Sequence, residues 1–257
     1  MNNQAAAQAA QTLWNAWIEN RTIDQLPPDC RPQTIADGYV VQAALGSIAG
    51  TRVGWKVAGT TEAAREMLGV EEPLYGPLYE RFAVAPAGAA ECHGLAGVAE
   101  GEFALTISRT LSPADAPYTR TDILDAVASV HPAIELPGSR FKDFGSVGVA
   151  HLVADCAGAG IFVIGAPGEV ALADLPDIQV QLSRNDIEVA VGSGANVLGD
   201  PLEVLVWLVN QLAERGIGVD KGEVILTGAA ALSRTILAGD QLIASFDQLG
   251  VVSVNLR

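Results

Sequence analysis

Between residues 4 and 20 the apolar positions recur at helical spacing, with Ala7, Leu13, Trp14 and Trp17 on one side. The loop LPPDCRP and its three prolines end that pattern, and Thr34 to Ile48 resumes it as a second helix. After Gly50 the texture changes to short β-rich runs: TRVGWKVAG, FALTISRTL, GIFVIG, DIQVQLSRNDIEVAVG, EVILTG and LIASF, punctuated by Gly and Pro. Within them IQVQLSR and IEVAVG alternate apolar and polar residues about Asn185-Asp186, which predicts an antiparallel hairpin. Pro201 to Arg215 predicts a late helix, with proline at its start and apolar residues at Leu202, Leu205, Val206, Leu208, Val209 and Leu212. No repeat or long linker divides the chain. The expected fold class is α+β, with a helical N-terminal arm (1–50) packed on a β-rich body (51–257) as one structural domain.

Composition narrows the function. Of 257 residues, 49% are hydrophobic and 18% charged, enough for a sizeable core. Thirty acidic against fifteen basic residues give a net charge of −15, a field that repels nucleic acid and anionic membrane surfaces. No apolar stretch reaches the roughly 18 residues of a membrane span, and the N-terminus lacks the basic start and apolar block of a secretory signal. Cys30, Cys92 and Cys156 lie far apart without a C-x-x-C pair, which argues against a disulfide framework or zinc knuckle and fits a cytoplasmic location.

The candidate chemistry begins at Glu100-Gly101-Glu102, which opens the strand-like run EFALTISR. The two-residue period of a strand puts both carboxylates on one face, and the intervening glycine is expected to leave room for a ligand. Glu135, in HPAIELPGSR, lies near another strand end. Together the three acids suit a hard divalent cation, Mg²⁺ or Mn²⁺; alternatively, the acid pair is a solvated strand edge. Lys56, in GWKVAGT, projects either into a cavity or, as a snorkelling lysine, into solvent. Arg140 and Lys142, in GSRFKDF, suit a substrate carboxylate or an exposed loop equally. Ser193 and Gly194, in GSGANVLGDP before the late helix, offer amides to an anion, although the segment fits neither the dinucleotide fingerprint nor the P-loop. His93, His131 and His151 are isolated and read as structural, and no G-x-S-x-G elbow is present.

In order, GWKVAGT, LGVEEPLYGPL, EGEFAL, HPAIELPGSRFKDF, VADCAGAGIFVIG, GSGANVLGDPLEVLVWL and KGEVILTGA resemble the hydratase and decarboxylase branch of the fumarylacetoacetate hydrolase superfamily over nearly the whole chain. The resemblance implies a mixed-sheet β-roll body and a divalent cation held by Glu100, Glu102 and Glu135. It further implies that Lys56 stands beside the substrate as proton shuttle and that Arg140 belongs to a substrate-binding G/D-S-R motif. Three positions depart from the branch: Leu74 where an acidic residue is common, and His151 and Cys156 in place of the Asp and Asn of its D-x-x-A-D-N pattern. The implied function is metal-dependent hydration of a 2-hydroxy-2,4-dienoate to a 4-hydroxy-2-oxo acid. The alternatives are decarboxylation of a 4-oxalocrotonate-type 2-oxo acid, C–C hydrolysis of an acylpyruvate, or an inactive partner subunit. A homo-oligomer is expected, together with possible association with an enzyme of the same aromatic-degradation pathway.

Overall fold

The computed structural model describes residues 1–91, 97–143 and 145–257; Cys92 and His93 lie outside them. The chain opens with two helices, α1 (Asn3–Ile18) and α2 (Ile35–Gly46). Asn2 caps α1 by accepting the amide of Ala5, and Thr34 and Asp37 close a reciprocal capping box on α2. Then follow β1 (Arg52–Ala58), α3 (Glu62–Leu68), β2 (Leu74–Tyr79), β3 (Ala83–Val84), β4 (Ala89–Ala90), β5 (Val98–Ile107), α4 (Arg120–Leu124) and β6 (Val127–Leu136). The second half holds α5 (Val149–Ala154), β7 (Ile161–Ile164), β8 (Gln179–Arg184), β9 (Ile187–Ser193), α6 (Pro201–Ala213), β10 (Val224–Leu226), β11 (Ala231–Arg234), β12 (Gln241–Phe246) and β13 (Gly250–Leu256). The expected α+β class is the observed one. The hairpin β8–β9 turns at Asn185 and Asp186, both in the left-handed region at φ 51° and 65°.

Two sheets form the body. The larger is mixed, in the order β2-β1-β10-β5-β6-β7-β3 with β11 also paired to β5; the smaller runs β4-β13-β12-β8-β9. On β5 the residues Phe103 and Leu105 face the main core, where Phe103 meets Phe246 of the smaller sheet edge-on at 5.2 Å. Full burial of such a side chain is worth about 1.5–3 kcal/mol. Gly101 shares that face. A Cβ there would stand 3.1 Å from Val180 and 3.8 Å from Ala244, so this glycine admits the second sheet and not, as its sequence position suggested, a ligand between the acids. Glu100, Glu102 and Ala104 occupy the opposite face by simple alternation.

The N-terminal arm docks on the body through Gln42, which donates to the Tyr75 and Val153 carbonyls at 3.0 Å, and through Trp17, which rests on a buried ion pair of the body. Arg140 donates through its guanidinium to the side chain and the carbonyl of Asp155, and to the Ala159 carbonyl at 3.0 Å. Asp155 also accepts the Ser139 hydroxyl and the Arg140 amide, each at 2.9 Å. Burial pushes the Asp155 pKa up while Arg140 pulls it back. The guanidinium lies 3.7 Å from the centre of the Trp17 ring of α1, which also stacks on Phe82 at 3.9 Å and meets Trp14 edge-on at 6.4 Å. Trp14 and Trp17 therefore pack on the chain's own body. Asp155→Ala, which leaves a buried guanidinium unpaired, is expected to cost about 3–5 kcal/mol of stability; the denaturant midpoint at constant m-value measures it.

Candidate active site

Three strands bring the chemistry together on the sheet face turned away from the main core. Glu100 on β5 stands directly opposite Glu135 on β6, and Glu102 follows two residues along the same face. One ligand oxygen from each of the three lies within 4.8 Å of the others. Glu102 and Glu135 are fully buried and Glu100 partly so. Lys56 reaches them from β1, across the short β10, which ends at Leu226 and leaves the space beyond it open to side chains. Its Nζ lies 3.3 Å from Glu135 Oε2, within ion-pair distance but without hydrogen-bond geometry, and donates to the Ala157 carbonyl at 3.3 Å. Lys56 is only 3% exposed, so it is no snorkelling surface lysine.

The electrostatics of this cluster are unbalanced. Glu102 Oε2 accepts the Gly228 amide at 2.7 Å, but its Oε1 and both oxygens of Glu135 are buried without a hydrogen-bond partner. Buried carboxylates left this way respond by holding their protons. Desolvation, reinforced by the neighbouring acids, drives the Glu102 pKa well above its usual range; for Glu135, desolvation opposed by Lys56 gives a value of about 7. At Lys56 burial acts to lower the pKa, but the three facing acids outweigh it and hold the ammonium charged. Orphaned carboxylate oxygens at mutual chelating distance fit a hard, oxygen-seeking divalent cation such as Mg²⁺. Glu100, Glu102 and Glu135 are the residues that would hold it.

Gly228 matters to this geometry. It adopts φ +90°, and a Cβ would lie 2.4 Å from the Thr60 hydroxyl, so only glycine presents its amide to Glu102 at this approach. The TGA run after β10 gave a turn signal but nothing to connect it with Glu102, 126 residues earlier.

A cavity of about 370 Å³ opens over the cluster, lined by Lys56 and Glu100 at one end and by residues of α3, β11 and the Pro137–Ser139 turn elsewhere. Of the three acids Glu100 lines it, whereas Glu102 and Glu135 are fully buried and do not, and the substrate-binding candidates read from the sequence are not among its lining residues either. Arg140 spends its guanidinium on Asp155, Ala159 and Trp17, and so positions the turn beside the cavity instead of binding a substrate carboxylate. Gly194 is pressed under the Leu175 carbonyl, 1.9 Å from where a Cβ would sit, and its amide donates to Ile178. Ser193, at the end of β9, likewise stays outside; Val191 and Asn196 are the residues of this segment that reach the cavity. The N-terminus of α6 is not free for an anion, because Asp200 caps the Leu202 amide at 2.8 Å.

The two described histidines have structural partners or positions. His131 bridges the Gly165 carbonyl, Ser129 and Thr106 at 2.9–3.1 Å, and His151 packs edge-on to Phe141, its pKa lowered by burial and Arg31. Leu74 is buried against Leu152, Val153 and Ala157, leaving that position without a titratable group. Cys156 is a buried free thiol whose pKa desolvation raises to about 12.

Residues 83–257 match the family described as fumarylacetoacetate (FAA) hydrolase, C-terminal. The chain is 33% identical to a 2-hydroxyhexa-2,4-dienoate hydratase of Comamonas testosteroni, over 95% of this chain and 94% of the relative. It is 30% identical to a 4-oxalocrotonate decarboxylase of Pseudomonas putida, over 98% and 97%. Among solved structures it is similar to the 4-oxalocrotonate decarboxylase from Pseudomonas putida G7 complexed with magnesium and adipate. That match has a TM-score of 0.90 at 29% identity and covers 100% of this chain and 99% of the other.

The protonated state of the acids fixes a pH dependence. Metal binds the ionised carboxylates, whereas metal-free Glu135 keeps its proton up to about pH 7. Mg²⁺ affinity, followed by calorimetry, is expected to weaken about tenfold per pH unit below 7 for each proton displaced, with proton release on binding. In the metal-free protein the raised pKa contributes stability that is full below the unfolded value of about 4.3 and is lost as pH rises through 7. Thermal melts from pH 5 to 8 should show that loss, and Mg²⁺ should reverse it.

Proposed function

The chain belongs to the fumarylacetoacetate hydrolase family, and we propose that it is a metal-dependent lyase that hydrates a 2-hydroxy-2,4-dienoate to a 4-hydroxy-2-oxo acid. The observation that supports this most directly is the buried cluster of Glu100, Glu102 and Glu135 with the charged Lys56 at its edge. A divalent cation bound by the three acids would supply Lewis-acid stabilisation of negative charge on the C2 oxygen of a 2-oxo acid.

The remaining work falls to the chain itself. Lys56 is the buried cation of the cavity and the group placed to carry protons, because the carboxylates beside it keep its ammonium loaded. In the hydration, the enol loses its oxygen-bound proton while C5 gains one, giving a 2-oxo-3-enoate. Water then adds its hydroxyl at C4 and its second hydrogen at C3. Lys56 Nζ donates and recovers a proton within this sequence, and the Ala157 carbonyl, 3.3 Å away, holds its orientation. The apolar walls exclude bulk water from the acids.

Decarboxylation of a 4-oxalocrotonate-type acid is the second reading, favoured by the full-length similarity to the decarboxylases. It would pass through the same dienolate, with CO₂ lost from the far end in place of the first proton transfer. Incubation of the purified protein and Mg²⁺ with 2-hydroxypenta-2,4-dienoate and with 4-oxalocrotonate separates the two: water incorporation marks the hydratase, CO₂ release the decarboxylase.

Self-association and a cytoplasmic location complete the reading. Ile35 and Val40 on α2, with Ile48 just beyond it, are apolar residues left 37–39% exposed, which supports a homo-oligomer. Cys30 and Cys156 are free, and no helix among the described residues is long and apolar enough to cross a membrane. Light scattering on a sizing column is expected to give a mass that is a multiple of 26.6 kDa.

Substitution separates the two roles in the cluster. Glu102→Gln is expected to weaken Mg²⁺ binding and turnover together. Lys56→Met, which removes a positive charge beside the acids, should leave Mg²⁺ affinity equal or tighter while kcat falls by about 10²–10⁴. Calorimetry and a diene-absorbance assay on the same preparations check both, and unchanged turnover in either variant contradicts its assignment.

A further inference from the structure

Resting on the reading above, we propose that the site selects 2-oxo acids whose far end is an uncharged alkyl tail longer than that of the five-carbon parent substrate, seated between α3 and β11. The register of β11 on β5 sets the order of groups along the cavity. Leu232 stands opposite Glu100, and Arg234 opposite Val98, all on the face that carries the acids. A substrate with its acid head at Glu100 therefore meets Leu232 first. The cation of Arg234 is two residues further out, about 7 Å along the strand.

The opposite wall has the same character. Ala63, Ala64, Met67 and Leu68 of α3 line the cavity, yet none of this helix's residues is buried. Met67 is 62% exposed, and across the opening Val191 and Leu232 are 65% and 38% exposed. An apolar helix face left uncovered over a cavity that ends in a polar cluster is matched by a ligand with one charged and one apolar end. Among the described residues, Lys56, Glu100 and Arg234 are the charged ones that line the cavity. A terminal carboxylate on the substrate would lose hydration against Leu152, Leu232 and α3, with only the exposed Arg234 to offset it, and exposed pairs contribute little. An alkyl chain gains there instead: each methylene buried is worth about 0.8 kcal/mol, or about fourfold in affinity.

Binding of saturated 2-oxo acids tests this without turnover, since they lack the diene. In Mg²⁺, calorimetric affinity should rise about fourfold per methylene from 2-oxopentanoate to 2-oxooctanoate. 2-Oxohexanedioate should bind more weakly than 2-oxohexanoate. Met67→Asp, on the exposed α3 and so compatible with folding, should flatten the series. Equal or falling affinity along the series, tighter binding of the diacid, or a slope unchanged by Met67→Asp overturns the proposal. Failure to hydrate both 2-hydroxypenta-2,4-dienoate and its six-carbon alkyl homologue counts against the hydratase reading alone, because the chain-length series is read from binding.

Discussion

The structure depends on carboxylates held where water cannot stabilise them. Glu102 and Glu135 sit at zero exposure with three of their four oxygens unpartnered, and one lysine does not balance three acids. Breaking even with this arrangement requires either protons or a cation, and the two compete for the same oxygens. A β-sheet tolerates the cluster because its backbone groups are already satisfied within the ladder, so the side chains can be unfavourable without loosening the strands. The direct pairing of Glu100 with Glu135 fixes the distance between acids through strand register, which is far stiffer than any loop.

That placement divides the larger sheet into two functional faces. Phe103, Leu105, Ile134 and Val163 join the main core on one side, while Glu100, Glu102, Glu135 and Lys56 occupy the other. The core face supplies the cohesion that the acid face lacks. The N-terminal arm acts from a distance: Trp17 stacks on the Arg140 guanidinium, Arg140 grips Asp155, and the Pro137–Ser139 turn between Glu135 and Arg140 lines the cavity. Arg140 is thus a positioning residue, and the cost of removing its partner falls on the scaffold before it falls on the chemistry.

Much of this was legible in the sequence, for identifiable reasons. Helix ends announced themselves through the prolines of LPPDCRP and Pro201, and the Asn185-Asp186 hairpin through turn chemistry. The E-x-E pair followed from strand periodicity, and the third acid from resemblance to the family. Pattern could not reveal contacts made across long separations. Arg140 meets Asp155, fifteen residues on, inside the body, and an arginine beside a glycine turn looks the same whether it faces a substrate or a buried aspartate. Gly101 was misplaced by one step of the pleat: a residue between two site residues on a strand points away from the site. Ser193 and Gly194 lie outside the cavity lining for a related reason. Glycine there relieves close backbone packing at Leu175, which leaves the same sequence trace as an anion-binding loop.

The departures from the hydratase pattern gain a physical sense from their surroundings. Leu74 lies against Leu152 and Ala157, both of which also line the cavity, so the residue where an acid is common belongs to an apolar wall. An isolated carboxylate introduced there would be buried among apolar side chains and would take up a proton, adding no charge and disrupting the packing. The fork between water addition and loss of CO₂ then turns on what the cavity tolerates at the substrate's far end, since both reactions share the head group. A wall of alanine, leucine and methionine with its single cation out at the rim stabilises a carbon chain better than a second carboxylate, and on that ground the balance tilts toward hydration.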